Sequence, residues 1–255
     1  MDSADFLCFN EDMTQISPTF SPLYRQIRGL ILQALESGEW RPGQVIPSEQ
    51  ELAARFNVSQ GTVRKAIDEM AADNILVRRQ GRGTYVASHT DPRQMFRFLR
   101  LVPEEGDLLV HPKSVPVDCR RAKAGQDAAR RLGIRAGASV IILRRVLQFD
   151  GKPIVGDEIY LPEEICPGLN MEMLQVWNSS LYSLFETRFG LRMIRAQERI
   201  RAVAADRVAA ELLQVSEGTP LLSVERVTYT YGDKPVEWRR GVYSTAGYHY
   251  LNDLT

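Results

Sequence analysis

The stretch Glu51–Met70, ELAARFNVSQGTVRKAIDEM, carries two short helical patterns broken at Asn57-Val58-Ser59. Just upstream, Ser48 can cap the first helix, and Glu51, three residues on, completes a capping box. Leu52, Ala53 and Phe56 form its apolar stripe. Asn57 tolerates the left-handed conformation that turns a chain out of a helix. Ser59 is a good N-cap for the next helix, where Val63, Ala66, Ile67 and Met70 fall at i, i+3, i+4 and i+7.

A third helical pattern precedes these two. Leu23, Ile27, Leu30, Ile31, Ala34 and Leu35 recur at helical spacing, Gly38 suits the helix end, and Arg41-Pro42-Gly43 reads as a turn. After Asp73-Asn74 the character changes to strand: Ile75-Leu76-Val77, a glycine-bearing turn over 78–83, then Thr84-Tyr85-Val86. Helix, helix, helix and hairpin is the order of a winged helix-turn-helix. The opening of the helix at Gln60-Gly61 costs about 1 kcal/mol of propensity relative to alanine, a cost suited to a place where a ligand or another backbone approaches. Ser59 and Thr62 can bond phosphate at a helix N-terminus that favours anions. Arg64 and Lys65, off the apolar stripe, can reach guanine edges or phosphates. Arg78, Arg79 and Arg82 add positive charge at the hairpin. An ordinary solvated amphipathic helix would carry a similar pattern.

Lysine plus arginine equals aspartate plus glutamate, 32 each, so any nucleic-acid binding must come from a local patch and not from bulk charge. The 255 residues suffice for two domains with cores. No run approaches a membrane span, and the acidic start, MDSADFLCFNEDM, lacks the features of a secretory signal. A cytoplasmic location is expected. Cys8, Cys119 and Cys166 are widely spaced and odd in number, which suits reduced thiols. With His89, His111 and His249 equally scattered, no metal site is expected.

The second half contains a repeat. LGIRAGASVIILRRVLQFDGKPIV (132–155) matches LQVSEGTPLLSVERVTYTYGDKPVE (213–237), aligning Gly137 with Gly218, Arg145 with Arg226 and Pro153 with Pro235. Each copy reads as a helix end, a strand, a hairpin and a strand. Between them lie a helix near Ser180–Phe189, a strand near Leu191–Ala202 and a helix near Asp206–Leu213, an α+β pattern. In 139–149, Arg145 interrupts the apolar row Ser139, Ile141, Leu143, Leu147 and Phe149, and Arg226 repeats the interruption beside Leu222 and Val224. A buried arginine needs a carboxylate or an anionic ligand. Glu198, placed on one face with Ile194, Ala196 and Ile200, and Asp157 and Glu237 supply candidate acids. Either a polar cavity for a small molecule or plain internal ion pairing accounts for them.

The segments PLYRQI, SGEWRPGQVIPSEQELAARFNVS, TVRKAI and RRQGRGTYV, in this order and spacing, resemble the DNA-binding domain of the GntR family of bacterial transcription regulators. By that resemblance Gln50 sits at a helix-2 contact position that is commonly arginine. Ser59, Gln60, Gly61, Thr62 and Arg64 sit on the reading helix, and Gln80 and Gly81 at the wing tip, beside Arg82. Glutamine at Gln50 and Gln60 favours adenine where arginine favours guanine, which implies an altered operator. Asn74 replaces a common glycine. The segments VIILRRVLQFDGKPI, IYLP, PGL, SLYSLFETRFGLRMIRAQERI, EGTPLLSVERVTYTYGDKPVE and VYSTAGYHY resemble the UTRA effector domain of the HutC branch. This implies a chorismate-lyase-like sheet domain, a homodimer joined through it, and an effector pocket lined by Arg145, Asp157, Ser180, Arg195, Glu237 and Tyr243. Members that bind sugar phosphates often carry a second arginine where Leu147 stands here. The loss of a bidentate partner favours a carboxylate or another weakly charged metabolite.

The expected organisation is a tail over 1–17, a winged helix-turn-helix domain over 18–88, a polar linker over 89–97 and an effector-binding and dimerisation domain over 98–255. The expected function is a ligand-responsive regulator, a repressor, that binds a palindromic double-stranded DNA operator. No cofactor, catalytic residue or membrane partner is expected. A lyase-like enzyme acting on a small carboxylate and a DNA-binding protein without a ligand are the alternatives.

Overall fold

The structure, a computed structural model, describes residues 21–92, 94–105 and 112–252. The tail read at 1–17, Cys8 and His111 lie outside these residues. Helices α1 (Leu23–Glu36), α2 (Glu49–Phe56) and α3 (Gln60–Ala72) open the chain. The capping box closes in both directions: Glu51 N donates to Ser48 Oγ, and Ser48 N donates to Glu51 Oε2. Asn57 takes φ 52° and ψ 51°, and Ser59 caps α3 by accepting from Thr62 N. The three apolar stripes then meet. Ile27, Ile31, Leu35, Leu52, Val63, Ile67 and Met70 share one core, each burial contributing roughly 1.5–3 kcal/mol. Leu23 and Leu30, counted in the α1 stripe from sequence, remain exposed. Strands β1 (Leu76–Arg79) and β2 (Gly83–Val86) pair antiparallel, and Gly81 at φ 68° and Gly83 at φ 100° carry the wing turn.

Beyond the wing come β3 (Leu101–Pro103), β4 (Lys113–Lys123), α4 (Gln126–Leu132), β5 (Ser139–Phe149) and β6 (Lys152–Pro162). Helices α5 (Met171–Val176) and α6 (Leu181–Phe189) follow, then β7 (Arg195–Ala204), α7 (Arg207–Leu213), β8 (Pro220–Tyr229), β9 (Pro235–Ser244) and β10 (Tyr248–Tyr250). Six of these strands form one antiparallel sheet in the order β4-β5-β6-β9-β8-β7, while β3 and β10 pair separately. The repeat is larger than the stretch visible in sequence. It is a strand–helix–hairpin unit, β4-α4-β5-β6 and again β7-α7-β8-β9, and the two copies meet at β6 and β9. Gly137 N donates to Ala124 O, and Gly218 N donates to Ala205 O, both at 2.8 Å. Asp150-Gly151, both at positive φ, close the first hairpin, whereas a longer turn over Tyr231–Asp233 closes the second. Ile141, Leu143, Ile159 and Leu161 pack under α5 and α6 on one face. Val140 and Ile142, pointing the other way, pack under α4.

Two expectations change. The strand read from Leu191 begins at Arg195, because the residues before it turn toward the helical domain. There Ile194 enters the core of α1 and α3. The link expected over 89–97 is docked where it begins: His89, like Ser88 before it, is buried, and Glu186 of α6 accepts bonds from Ser88 Oγ and His89 N. His89 Nε2–H donates to Met193 O at 2.9 Å. Among the described residues no helix is long and apolar enough to cross a membrane.

Burial, followed by the nearby Arg192 charge, pulls the His89 pKa from 6.5 down to about 4. The unfolded chain therefore takes up this proton first as pH falls. Stability from this site is full above about pH 6.5 and is lost progressively toward pH 4, by on the order of 3 kcal/mol. Thermal melts at pH 7.5 and 4.5 should show a drop that His89→Gln reduces.

Candidate functional site

Glu49, in the first turn of α2, gathers side chains from α3 and from β1. It accepts from Arg64 Nε at 2.9 Å, from Arg78 Nη1 at 2.9 Å and from Gln60 Nε2 at 3.3 Å. Arg78 also bonds Asp68 at 2.7 Å. One carboxylate thus ties α2, α3 and the wing strand together. Partial burial pushes its pKa up, but the bonds from Arg78, Arg64 and Gln60 outweigh this and hold it below the usual carboxylate range. Arg64 is still 58% exposed. Gln50, Ser59, Gln60, Gly61, Gln80, Gly81 and Arg82 are exposed too, and Thr62 is half-buried. Ser59 Oγ and Thr62 Oγ1 share a hydrogen bond at 2.9 Å. A Cβ added at Gly61 would meet only Ser59 Oγ, at 3.8 Å, so nothing inside the fold requires glycine there. Lys65 departs from the group. Its Nζ lies 4.1 Å from the centroid of the Tyr24 ring, a cation–π contact that turns it toward α1.

The second constellation sits on the sheet face beneath α6. Cross-strand pairing sets Arg145 of β5 opposite Asp157 of β6, and Asp157 opposite Gly241 of β9. Arg145 Nε donates to Asp157 Oδ2 at 3.0 Å, and Arg239 Nη1 donates to the same oxygen at 3.1 Å. Arg239 also makes a two-pronged pair with Glu237, at 3.0 and 3.1 Å. Arg226 Nε bonds Glu198 Oε1 at 2.6 Å, and its Nη2 donates to Phe98 O. Tyr182 OH donates to Glu237 Oε1 at 2.9 Å. All three guanidinium groups are buried, so internal pairing, one of the two accounts the sequence left open, is realised. Burial raises the Asp157 pKa, but Arg239 and Arg145 prevail and hold it below the usual range. Burial pushes the Tyr243 phenol up to about 12. Gly241 makes room for both groups: a Cβ there would lie 2.5 Å from the Tyr243 ring and 3.0 Å from Asp157 Oδ1.

Ser180 joins this region as the N-cap of α6, accepting from Ser183 N at 3.1 Å. Arg195 does not. It is half exposed, bonds Asp233 at 3.0 Å and lies over the Tyr229 ring. It sits at the start of an edge strand, outside the cluster. Arg239, the hub of the network, was missed in the sequence, although it shares a strand face with Glu237 and Tyr243 and alternation alone places it there. The aromatic lid, Phe98 and Tyr182, gave no periodic signal. Arg145, Arg226, Arg239, Ser180, Tyr182 and Phe98 surround a cavity of about 30 Å³, enough for only one or two waters. Met95, Phe96 and Leu99 line it from the linker side. Donor and acceptor groups held against aromatic walls suit reversible binding of a small polar molecule.

Residues 23–86 match the family model described as bacterial regulatory proteins, gntR family, and residues 109–249 match that of the UTRA domain. An Escherichia coli K12 protein named a probable fructoselysine utilization operon transcriptional repressor is 31% identical over 217 residues, covering 84% of this chain and 87% of that protein. The crystal structure of the ligand-binding domain of a GntR-family transcriptional regulator from Bordetella bronchiseptica is 46% identical, with a TM-score of 0.60, covering 63% of this chain and 99% of that one. PhnF from Mycobacterium smegmatis is 27% identical, with a TM-score of 0.52, covering 90% and 99%.

Gly241→Ala should lower the melting temperature, at a cost of about 1–3 kcal/mol for overpacking. A melt equal to wild type would show that the Tyr243 ring and the Asp157 carboxylate yield freely.

Proposed function

This chain belongs to the GntR family of bacterial regulatory proteins and carries a UTRA domain, which makes it a transcription regulator and not an enzyme, and we propose that it is a metabolite-responsive repressor that binds a palindromic operator as a homodimer. The observation that carries the DNA-reading assignment is Gly61. It opens the reading helix at a propensity cost, no packing demands it, and it lies beside exposed Ser59, Gln60 and Arg64. An approaching duplex is the partner that such an opening serves. Phosphates compete with Glu49 for Arg64 and Arg78, so binding releases a preformed cationic set from its internal counter-ion. Gln50 and Gln60 suit bidentate bonds to adenine. Lys65, turned to Tyr24, contributes least.

The effector is a small carboxylate or another metabolite of low net charge. Support comes from the balance of the cluster: three guanidinium groups (Arg145, Arg226, Arg239) face three carboxylates (Asp157, Glu198, Glu237). A dianionic phosphate finds no uncompensated cation there, and Leu147 offers none. The cavity must enlarge to admit a ligand, which requires the 95–99 segment to shift. An effector changes operator affinity only through unequal affinity for the two states, and a coupling of about 1–3 kcal/mol gives roughly 5- to 150-fold.

Dimerisation is supported by β7, an edge strand with Ile200 44% and Val203 36% exposed. Such an edge invites a second strand. Ile200→Glu should shift the protein toward monomer in light scattering; an unchanged mass places the interface elsewhere.

The central test selects a duplex from random-sequence DNA with the wild-type protein and follows it by fluorescence anisotropy. Arg64→Ala should weaken binding at least about tenfold, the loss of one charge-assisted contact of 1.5–3 kcal/mol, with the oligomer intact. Equal binding removes the reading-helix assignment. In the same assay small carboxylates, amino acids and sugar phosphates are screened for release of DNA, and Arg145→Ala should blunt the response to the active compound. Release by sugar phosphates alone overturns the ligand class.

A further inference from the structure

A polar joint links the helical domain to the sheet domain, beside the packing of Tyr231 on the helical core. Arg192, 2% exposed, follows α6 and reaches into the DNA-reading domain. Its Nη1 donates to Ile75 O at 3.0 Å, and its Nη2 donates to Asn74 O at 2.8 Å. Those carbonyls form the turn between α3 and β1. Glu186, one turn before the end of α6, takes Ser88 Oγ and His89 N, just past the end of β2. The two roots of the wing are therefore gripped by two residues of one helix-and-turn unit. These residues also face each other, with Arg192 Nε 3.9 Å from Glu186 Oε2. Ile194 completes the seam by entering the α1–α3 core.

The other end of α6 belongs to the charged cavity. Ser180 caps it, and Tyr182 in its first turn bonds Glu237. The Tyr182 ring packs on His89 with centroids 5.4 Å apart, so one side chain touches both the cavity and the joint. At nine residues, α6 spans roughly 13 Å and moves as a rigid piece.

Resting on the reading of α3 as the DNA-reading helix and of the cavity as the effector site, we propose that Glu186 and Arg192, linked to the cavity through Tyr182 and the body of α6, form the joint that sets the pose of the reading helix and wing according to the state of the cavity. An apolar seam would hold two domains together at less desolvation cost. Donors aimed at two specific carbonyls instead fix one arrangement, and a tilt of α6 that breaks either bond leaves buried groups unpaired. Such a joint has discrete states, as coupling requires. Arg192 and Glu186 are positioning residues and touch neither DNA nor effector.

Coupling is reciprocal, so the test needs no identified metabolite. Amide hydrogen exchange over residues 181–189 is measured with and without the selected duplex. In the wild type, saturating duplex should change exchange there roughly fivefold or more. In the double variant Arg192→Met/Glu186→Gln, which leaves no buried charge unpaired, the duplex should still bind but the exchange ratio should fall to about one. Wild-type exchange that ignores the duplex, or a ratio equal in the variant, overturns the joint. If selection enriches no duplex, the DNA-reading assignment fails separately, and calorimetry then judges the joint. Wild type should unfold in one transition and the variant in two; a single, unshifted transition in the variant overturns it. If the double variant does not fold, Arg192→Lys, able to reach only one carbonyl, replaces it in both measurements under the same criteria.

Discussion

The chain Arg145–Asp157–Arg239–Glu237 across the middle of the six-stranded sheet is the constraint around which the sheet domain is arranged. Three of its members are 4% exposed or less and Arg145 is 7%. Charges so placed must be matched nearly atom for atom, because removing one partner of a buried pair costs about 3–5 kcal/mol. That requirement explains otherwise unrelated features. Gly241 must lack a side chain so that Asp157 and Tyr243 fit. Tyr182 must aim its hydroxyl at Glu237, which fixes the first turn of α6. Arg226, with Glu198 as its acid, takes a backbone carbonyl from Phe98 as a further acceptor, which draws the linker over the cavity. The bland account of the arginines, internal pairing, and the functional one, a binding site, are therefore compatible. Both arginines fall on Asp157 Oδ2 while its Oδ1 is buried without a hydrogen-bond partner, so a paired network still holds an acceptor that a ligand's donor could take.

The same physics operates at smaller scale in the reading domain. Glu49 holds Arg64, Arg78 and Gln60 in place without DNA, at a partly exposed site where each contact is weak. Exposure makes these pairs exchangeable, whereas burial makes the Arg192–Glu186 joint persistent. One protein thus uses guanidinium groups in three ways: loosely held at a surface, locked across a domain seam, and balanced around a cavity.

Much of the local architecture was legible in the residues. Capping by Ser48 and Ser59, the left-handed turns at Asn57 and Gly38, and the apolar stripes of α2 and α3 all follow from short-range rules. Alternation in β5 marked Arg145 as buried, and the repeat marked Arg226. Failures occurred where a residue's partner is far away in sequence. Ile194 was assigned to a sheet face but serves the helical core, because its backbone stands at the seam between domains. Arg195 shares the sequence neighbourhood of the pocket but starts an edge strand. Lys65 was placed with Arg64, yet a ring from α1 captures it.

The sequence by itself determined the two domain types, the third helix with its open first turn, and the burial of Arg145 and Arg226, because spacing along a helix or strand decides which side chains share a face. It could not decide what those faces meet. Tertiary structure alone brought Arg239 onto Asp157 of a neighbouring strand, laid the 95–99 segment against the cavity and set Arg192 against the carbonyls of Asn74 and Ile75, 118 and 117 residues earlier in the chain. The reason is that a guanidinium's partner is chosen by distance and direction in space, and residues this far apart in the chain share no periodicity that could announce their meeting.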